Sequence, residues 1–222
     1  MAASAAIGGS RSARQPPNAI ERPRIDRPIS TGVQSYGFAA DLRVGAADAG
    51  DLRCRCRQER LLGMMARDSS ADVNVIALIG ERGREVNDFL ERDLGPEGIA
   101  RSVVVVATGI NPRCCGAKPH RDRPPLIAEY FRDQGANGRL MMDSLTRFAM
   151  AQRGDRLGGG EPPTTRGYPP SVFSLLPRLV ERAGRSALGS ITAFYSVLVE
   201  GDDPSEPVAG IRSAALDGHT CT

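Results

Sequence analysis

The sequence predicts an α/β domain built on a mostly parallel sheet, and three observations predict it. Val73 to Ile79 (VNVIALI) and Ser102 to Ala107 (SVVVVA) are β-branched runs bounded by turn residues, long enough to be strands buried on both faces. Between them, Arg84 to Leu94 sets Val86, Phe89 and Leu90 on one side and charges on the other, which is helical spacing. Beyond them strand and helix keep alternating, the order that produces a parallel sheet with crossover helices.

Leu126 to Gln134 repeats the helical pattern. Leu140 to Met142 is a short apolar strand ending at Asp143, and Leu145 to Gln152 resumes helix. Ser171 to Ala183 is an amphipathic helix entered through Pro169 and Pro170, and Ile191 to Val199 (ITAFYSVLV) is a further strand. Ligands of such sheets bind beyond the carboxyl ends of the strands. Gly80, Glu81 and Arg82 follow the first strand; Asp143, Ser144 and Arg147 follow the third; Glu200, Asp202 and Asp203 follow the last. Carboxylates and guanidinium groups at one edge suit a metal-bound polyphosphate: one carboxylate for Mg²⁺ and its waters, another to polarise an attacking water, and Arg for phosphoryl charge. Taken singly, each residue also reads as a helix cap or a surface pair.

Composition narrows the classes. The chain has 222 residues, 41% hydrophobic and 25% charged, enough for a real core. No apolar run approaches the ~18 residues of a membrane span, and Met1 to Arg14 lacks the pattern of a signal peptide, so the expected location is cytoplasmic. A net charge of +3, with no basic run interleaved with aromatics, argues against nucleic acid as a partner. Lys118 is the single Lys among 29 basic residues, and Pro119 follows it. A phosphate loop of the form GxxxxGK[ST] is therefore impossible. The five Cys, both His and Lys118 all fall in three stretches unlike their surroundings: Tyr36 to Arg60, Gly109 to Pro125, and the last few residues.

Literal sequence carries a resemblance. GERGREVNDFLE (Gly80 to Glu91), LMMDSLTRFAMAQR (Leu140 to Arg153), GEPPTTRGYPPSVFSLLPRLVERAG (Gly160 to Gly184) and GSITAFYSVLVEGDDPSEPVA (Gly189 to Ala209) resemble the catalytic domain of the flagellar and type III secretion export ATPases. These are homohexameric, RecA-like P-loop NTPases related to the rotary ATP synthase β subunit. RPRIDRPISTGV (Arg22 to Val33) resembles the segment leading into that domain, and EPPTTRGYPPSVF leans towards the flagellar branch, with the injectisome branch close behind. The resemblance implies a parallel sheet with helices on both faces, ATP and Mg²⁺ as ligands, and ATP hydrolysis that energises protein export. It implies a homohexamer at the cytoplasmic periphery of the inner membrane, with export gate, central stalk and chaperone–substrate complexes as partners. By motif, Glu81 is the general base, Arg82 belongs to the same network, and Asp143 acts on Mg²⁺ through water. Arg147 faces the phosphates and Tyr195 resembles the aromatic near the nucleotide, with an ordinary core role equally open. Arg166 to Pro170 would face a neighbouring subunit or the pore.

The pattern breaks where the family places its phosphate loop. Between STGV and LLGMMAR stands YGFAADLRVGAADAGDLRCRCRQER, without the Gly-rich amides and Lys ammonium that cradle β- and γ-phosphates. The expected organisation is a lead-in over 1–35, an altered segment over 36–60, and a truncated, incomplete catalytic domain over 61–222 with 109–125 also altered. The N-terminal β-barrel, the arginine finger and the helical C-terminal domain of the family are expected to be absent. GANGR (Gly135 to Arg139) and RLGGG (Arg156 to Gly160) depart too, the first weakening a central strand.

With suitable codons, Asp51 to Arg60 (DLRCRCRQER) read one nucleotide out of frame becomes IFAAAVGKS, the missing loop less a residue. Phe38 to Arg43 and Gly109 to Gly116 behave similarly. The hypothesis is a pair or more of compensating frameshifts, and the family expectation for this chain is weak or no activity. Three other readings stand beside it. Cys54, Cys56, Cys114, Cys115 and His120 could hold zinc, although CxC and CC spacings suit a tetrahedral site poorly. The chain could be a non-catalytic fragment docking to an intact ATPase ring, or a remnant whose interrupted sheet does not fold. Resequencing the gene is expected to find insertions or deletions within codons 36–60 and 109–125; an unbroken frame relative to close relatives contradicts the hypothesis.

Overall fold

A computed structural model of the chain describes residues 20, 22–32, 43–51, 55–108, 123–198, 216 and 218–221. Strands β1 (Ala47–Asp51), β2 (Val73–Glu81), β3 (Ser102–Thr108), β4 (Asn137–Asp143), β5 (Gly184–Arg185), β6 (Ser190–Val197) and β7 (Gly218–Cys221) join in one sheet. Their order is β3-β2-β4-β6-β1-β7, with every pairing parallel except that of β5, which lies antiparallel to β6. The helices are α1 (Arg55–Asp68), α2 (Gly83–Asp88), α3 (Gly95–Ala100), α4 (Arg123–Asp133), α5 (Leu145–Gly158) and α6 (Pro170–Val180). Among the described residues no helix is long and apolar enough to cross a membrane.

Side-chain alternation divides the core into two layers. On one face Val75, Ala77, Leu140, Met142 and Ala193 pack against α4, α5 and α6. On the other, Ile76, Leu78, Met141 and Phe194 meet Leu62, Met65 and Ala66 of α1 together with Val86, Phe89 and Leu94. Each such apolar side chain, fully buried, contributes about 1.5–3 kcal/mol relative to exposure, so the continuous β-branched runs suit strands covered on both sides.

Several elements differ from the sequence expectation. Strand β1 and the start of α1 arise inside the altered stretch 36–60, and β1 pairs with β6 and β7. The helix expected over 84–94 divides: α2 passes into a π-helical turn, Phe89–Leu94, and Gly95, at φ 62°, ends it before Pro96 opens α3. The π turn presses on α1, where a Cβ on Gly63 would lie 2.5 Å from the Asp93 carbonyl oxygen. Helix α5 runs on to Gly158, through the first part of RLGGG.

The sharpest difference is in β4. It begins at Asn137 rather than Leu140 and takes in Gly138 and Arg139, because the backbone there pairs on both sides, Arg139 opposite Asn74 in β2 and Thr192 in β6. That register drives a guanidinium into the layer beneath α1. Arg139 is 0% exposed, donates from Nη1 to the Met65 carbonyl at 2.5 Å, and lies over the Phe194 ring at 5.4 Å. Among the described residues its Nε and Nη2 have no hydrogen-bond partner. Burial, and secondarily the charge on Arg101, lower its pKa to about 10. The paired strand persists, but with a poorly compensated charge in its core.

At the end of the sheet opposite the strands' carboxyl ends, the lead-in segment is tied down. Arg22 donates to the carbonyls of Glu181 (2.5 Å) and Ala183 (3.3 Å), and Arg185 donates to the Arg24 carbonyl and to Asp26, both at 2.6 Å. Between α5 and α6, Glu161 receives the Ser171 hydroxyl (2.6 Å) and backbone N–H (2.9 Å), capping a helix whose own N-cap, Pro169, has no side-chain acceptor. The Ser171 hydroxyl, then its N–H, with help from Arg156, hold the Glu161 carboxyl below the ordinary 4.5.

Two outcomes are expected. Arg139→Leu raises unfolding stability by about 1–3 kcal/mol, roughly 2–4 °C of thermal midpoint per kcal/mol; a fall in midpoint contradicts the account of β4. Because the folded carboxyl of Glu161 binds its proton less readily than the unfolded one, its contribution is full above the unfolded pKa and is lost as pH falls through the folded value. The α6 N-terminal amides should lose exchange protection over that acidic range in the unaltered chain, and Glu161→Gln should remove the pH dependence.

Candidate functional site

The carboxyl ends of β2, β4 and β6 meet in a bracket formed by five consecutive residues, Asp143 to Arg147. Strand β2 carries an irregularity between Ile79 and Glu81, where Gly80 adopts φ 72°. A Cβ there would lie 2.8 Å from Arg147 Cδ, so glycine is required both for the turn and for the approach of Arg147. The bulge re-aims Glu81, which is 4% exposed and ion-paired through Oε1 with Arg147 Nη1. The same nitrogen lies 3.4 Å from the Ile79 carbonyl.

The rest of the bracket faces β6. Ser144 caps α5 by accepting from the Arg147 N–H at 3.2 Å. Thr146 Oγ1 donates to the Leu198 carbonyl (3.2 Å) and accepts from its N–H (2.9 Å), fastening the end of β6 to the first turn of α5. Asp143, 4% exposed, accepts from the Ser196 hydroxyl at 2.9 Å. One pentapeptide therefore grips its two neighbouring strands.

Glu81, Asp143 and Arg147, expected from the sequence, thus come to one edge, linked through Arg147 and the turn that follows Asp143. Arg82 points outward: its side chain is 67% exposed and reaches Glu85 at 3.9 Å, so it joins the network only through that neighbour. Tyr195, which the resemblance places near the nucleotide with a core role equally open, lies in the sheet's interior. Its ring is 1% exposed within the layer covered by α4 to α6 and its hydroxyl has no hydrogen-bond partner. Burial pushes its phenol pKa up, and the residue serves as core because it points to the face away from Asp143. Arg166 stands in a short 3₁₀ turn, Thr165–Gly167, at φ 53°. Glu200, Asp202 and Asp203 lie outside the described residues. So do the side chains of the proposed zinc set, Cys54, Cys56, Cys114, Cys115 and His120.

Sequence reasoning missed Ser196, Thr146, Glu59 and Glu85. Glu59 of α1, Glu81 and Glu85 each bring a carboxylate oxygen within 4.8 Å of the others. No motif announced them, since strand register and helix docking decide these meetings.

Residues 55–222 match the ATP synthase alpha/beta family, nucleotide-binding domain. The chain belongs to this family. It is 50% identical over 206 residues to the flagellum-specific ATP synthase of Bacillus subtilis, covering 93% of this chain and 47% of that protein. It is 52% identical over 211 residues to the flagellum-specific ATP synthase of Salmonella typhimurium (92% and 45%). The type 3 secretion system ATPase of Xanthomonas euvesicatoria is 51% identical over 205 residues (92% and 46%). Among solved structures, the assembled ATPase EscN of the enteropathogenic E. coli type III secretion system superposes with TM-score 0.85 at 42% identity, covering 95% of this chain and 50% of that one. EscN in complex with its central stalk EscO gives 0.82 at 41%, covering 96% and 50%. The chain spans about half the length of the curated relatives it matches. The fold is the RecA-like P-loop NTPase fold, with helices on both faces of a mostly parallel sheet.

For a family member, the edge fits half of its ligand. Asp143 and Glu81 are buried carboxylates suited to a hydrated divalent cation and a water, and Arg147 supplies positive charge beside them. The other half does not fit. Between β1, ending at Asp51, and α1, starting at Arg55, stand only Leu52, Arg53 and Cys54. No glycine offers its amides there, and the converging Glu59, Glu81 and Glu85 carboxylates oppose phosphate charge.

Arg147→Ala is expected to cost about 2–4 kcal/mol in urea unfolding, near the low end for a broken buried pair because Arg147 is partly exposed. In a double-mutant cycle with Glu81→Gln the two changes should fall short of additivity by about 1 kcal/mol or more. Additive costs contradict the bracket.

Proposed function

We propose that the chain is the nucleotide-binding core of a protein-export ATPase of the flagellar branch, with the injectisome branch as its nearest kin, in which turnover has been lost. The observation that carries this reading is the assembly of Glu81, Asp143 and Arg147 at the carboxyl edge of the sheet in a member of the ATP synthase alpha/beta family. In this reading Glu81 orients a water, with Arg82 and Glu85 in its network, Asp143 holds the waters of Mg²⁺, and Arg147 pairs with Glu81 and offsets phosphoryl charge. Mg²⁺, when bound with ATP, would neutralise the phosphates.

The lead-in over 1–35, the altered segment over 36–60 and the catalytic domain over 61–222 are its parts. The altered segment stands at the place of the phosphate loop, and the lack of a glycine in the β1–α1 connection and of a Lys ammonium in the segment leaves ATP without an anchor. The assembled state of EscN and its complex with EscO support a ring and a central stalk for the intact protein. A homohexamer that works with export gate and chaperone–substrate complexes, on the cytoplasmic side of the inner membrane, completes the proposal.

Steady ATP hydrolysis by the homogeneous chain is expected to lie at least ~10³-fold below the ~10 s⁻¹ of an ordinary enzyme. Replacing residues 51–59 by IFAAAVGKS should restore Mg²⁺-dependent ATP binding, and Asp143→Asn should remove that gain. Turnover at an ordinary rate by the unaltered chain, or no binding after the replacement, contradicts the proposal.

A further inference from the structure

We propose that Ser196 is a positioning residue for the Asp143 carboxylate, holding it in the orientation that a hydrated divalent cation needs. This deepens the reading of the preceding section and rests on it. The assignment starts from strand register. Met142 of β4 stands opposite Tyr195 of β6, so the next residues, Asp143 and Ser196, come opposite each other. Met142 and Tyr195 share the layer under α4 to α6, whereas Met141 and Phe194 share the layer under α1. By alternation Asp143 and Ser196 both turn to the α1 side, where β1 hands over to α1.

The contact is built rather than incidental. Ser196 is 5% exposed and Asp143 4%, and the hydroxyl donates to Oδ1 at 2.9 Å in a buried position. A hydroxyl is the smallest side chain that can donate there, and a donor to an ionised acceptor makes one of the stronger protein hydrogen bonds. The end of β6 is itself immobilised by the Thr146–Leu198 clasp, so the donor is fixed relative to the turn that carries Asp143. Such outer partners of metal-binding carboxylates commonly set affinity, and their loss typically costs 10–100-fold.

The test uses the whole chain labelled with ¹³C-carboxyl aspartate, with the Asp143 resonance assigned by Asp143→Asn and Mn²⁺ as a paramagnetic probe. Ser196→Ala should shift the Asp143 carboxyl resonance and raise the Mn²⁺ concentration that broadens it by about tenfold or more; Ser196→Thr, which keeps the hydroxyl, should restore both. An unshifted resonance in Ser196→Ala overturns the contact, and broadening at the same Mn²⁺ concentration overturns the positioning role. If Mn²⁺ fails to broaden Asp143 in the unaltered chain, the metal role of Asp143 in the proposed function fails, and with it the positioning role, while an intact resonance shift shows that the hydrogen bond itself stands. If Ser196→Ala does not fold, the Ser196→Thr chain decides: loss of Mn²⁺ broadening despite its hydroxyl overturns the proposal, and retention supports it.

Discussion

Arg147 and Glu81 form the contact on which the carboxyl edge depends. A buried carboxylate is tolerated when a cation compensates it, and Arg147 can reach Glu81 only because Gly80 clears the way and Ser144 starts α5 at the right residue. The pair joins β2 to the turn after β4, and Thr146 and Asp143 join that turn to β6. Remove the pair and two strand ends lose their common support. In the proposed function the same residues supply the charges of a phosphoryl-transfer site, so structural support and chemistry would coincide there.

The two halves of a nucleotide site have different structural dependences. The carboxylate and guanidinium half is sustained by internal contacts among β2, β4, α5 and β6. A phosphate cradle depends instead on one loop's backbone amides and one Lys. The altered stretch over 36–60 leaves the sheet in place: β1 pairs with β6, and Leu62, Met65 and Ala66 of α1 cover the core. What enters the vacated charge environment is Glu59, of the wrong sign for a triphosphate.

Much of the fold was legible because Val73 to Ile79, Ser102 to Ala107 and Ile191 to Val199 are strands covered on both faces, and their composition says so. Glu81, Asp143 and Arg147 were legible because each follows a strand. Strand β1 was not, since ADAGD contains no β-branched residue and its place comes from pairing with two neighbours. Arg139 was read as a disruption, and the backbone ladder on both sides overrode it at the cost of burying a charge. Ser196 was invisible in the sequence because its meaning comes from standing across from Asp143, and register is a property of the assembled sheet. Tyr195 follows the same rule: one position along β6 from Ser196, it stands on the other face of the sheet.

In the proposed function the metal-and-water half of the pocket is assembled while the phosphate-holding half is lacking. Isothermal titration calorimetry of the unaltered chain with ATP, with and without Mg²⁺, tests it most directly. The account predicts no saturable heat at concentrations up to about 1 mM, corresponding to binding weaker than about −4 kcal/mol. A saturable, Mg²⁺-dependent isotherm in the micromolar range contradicts it.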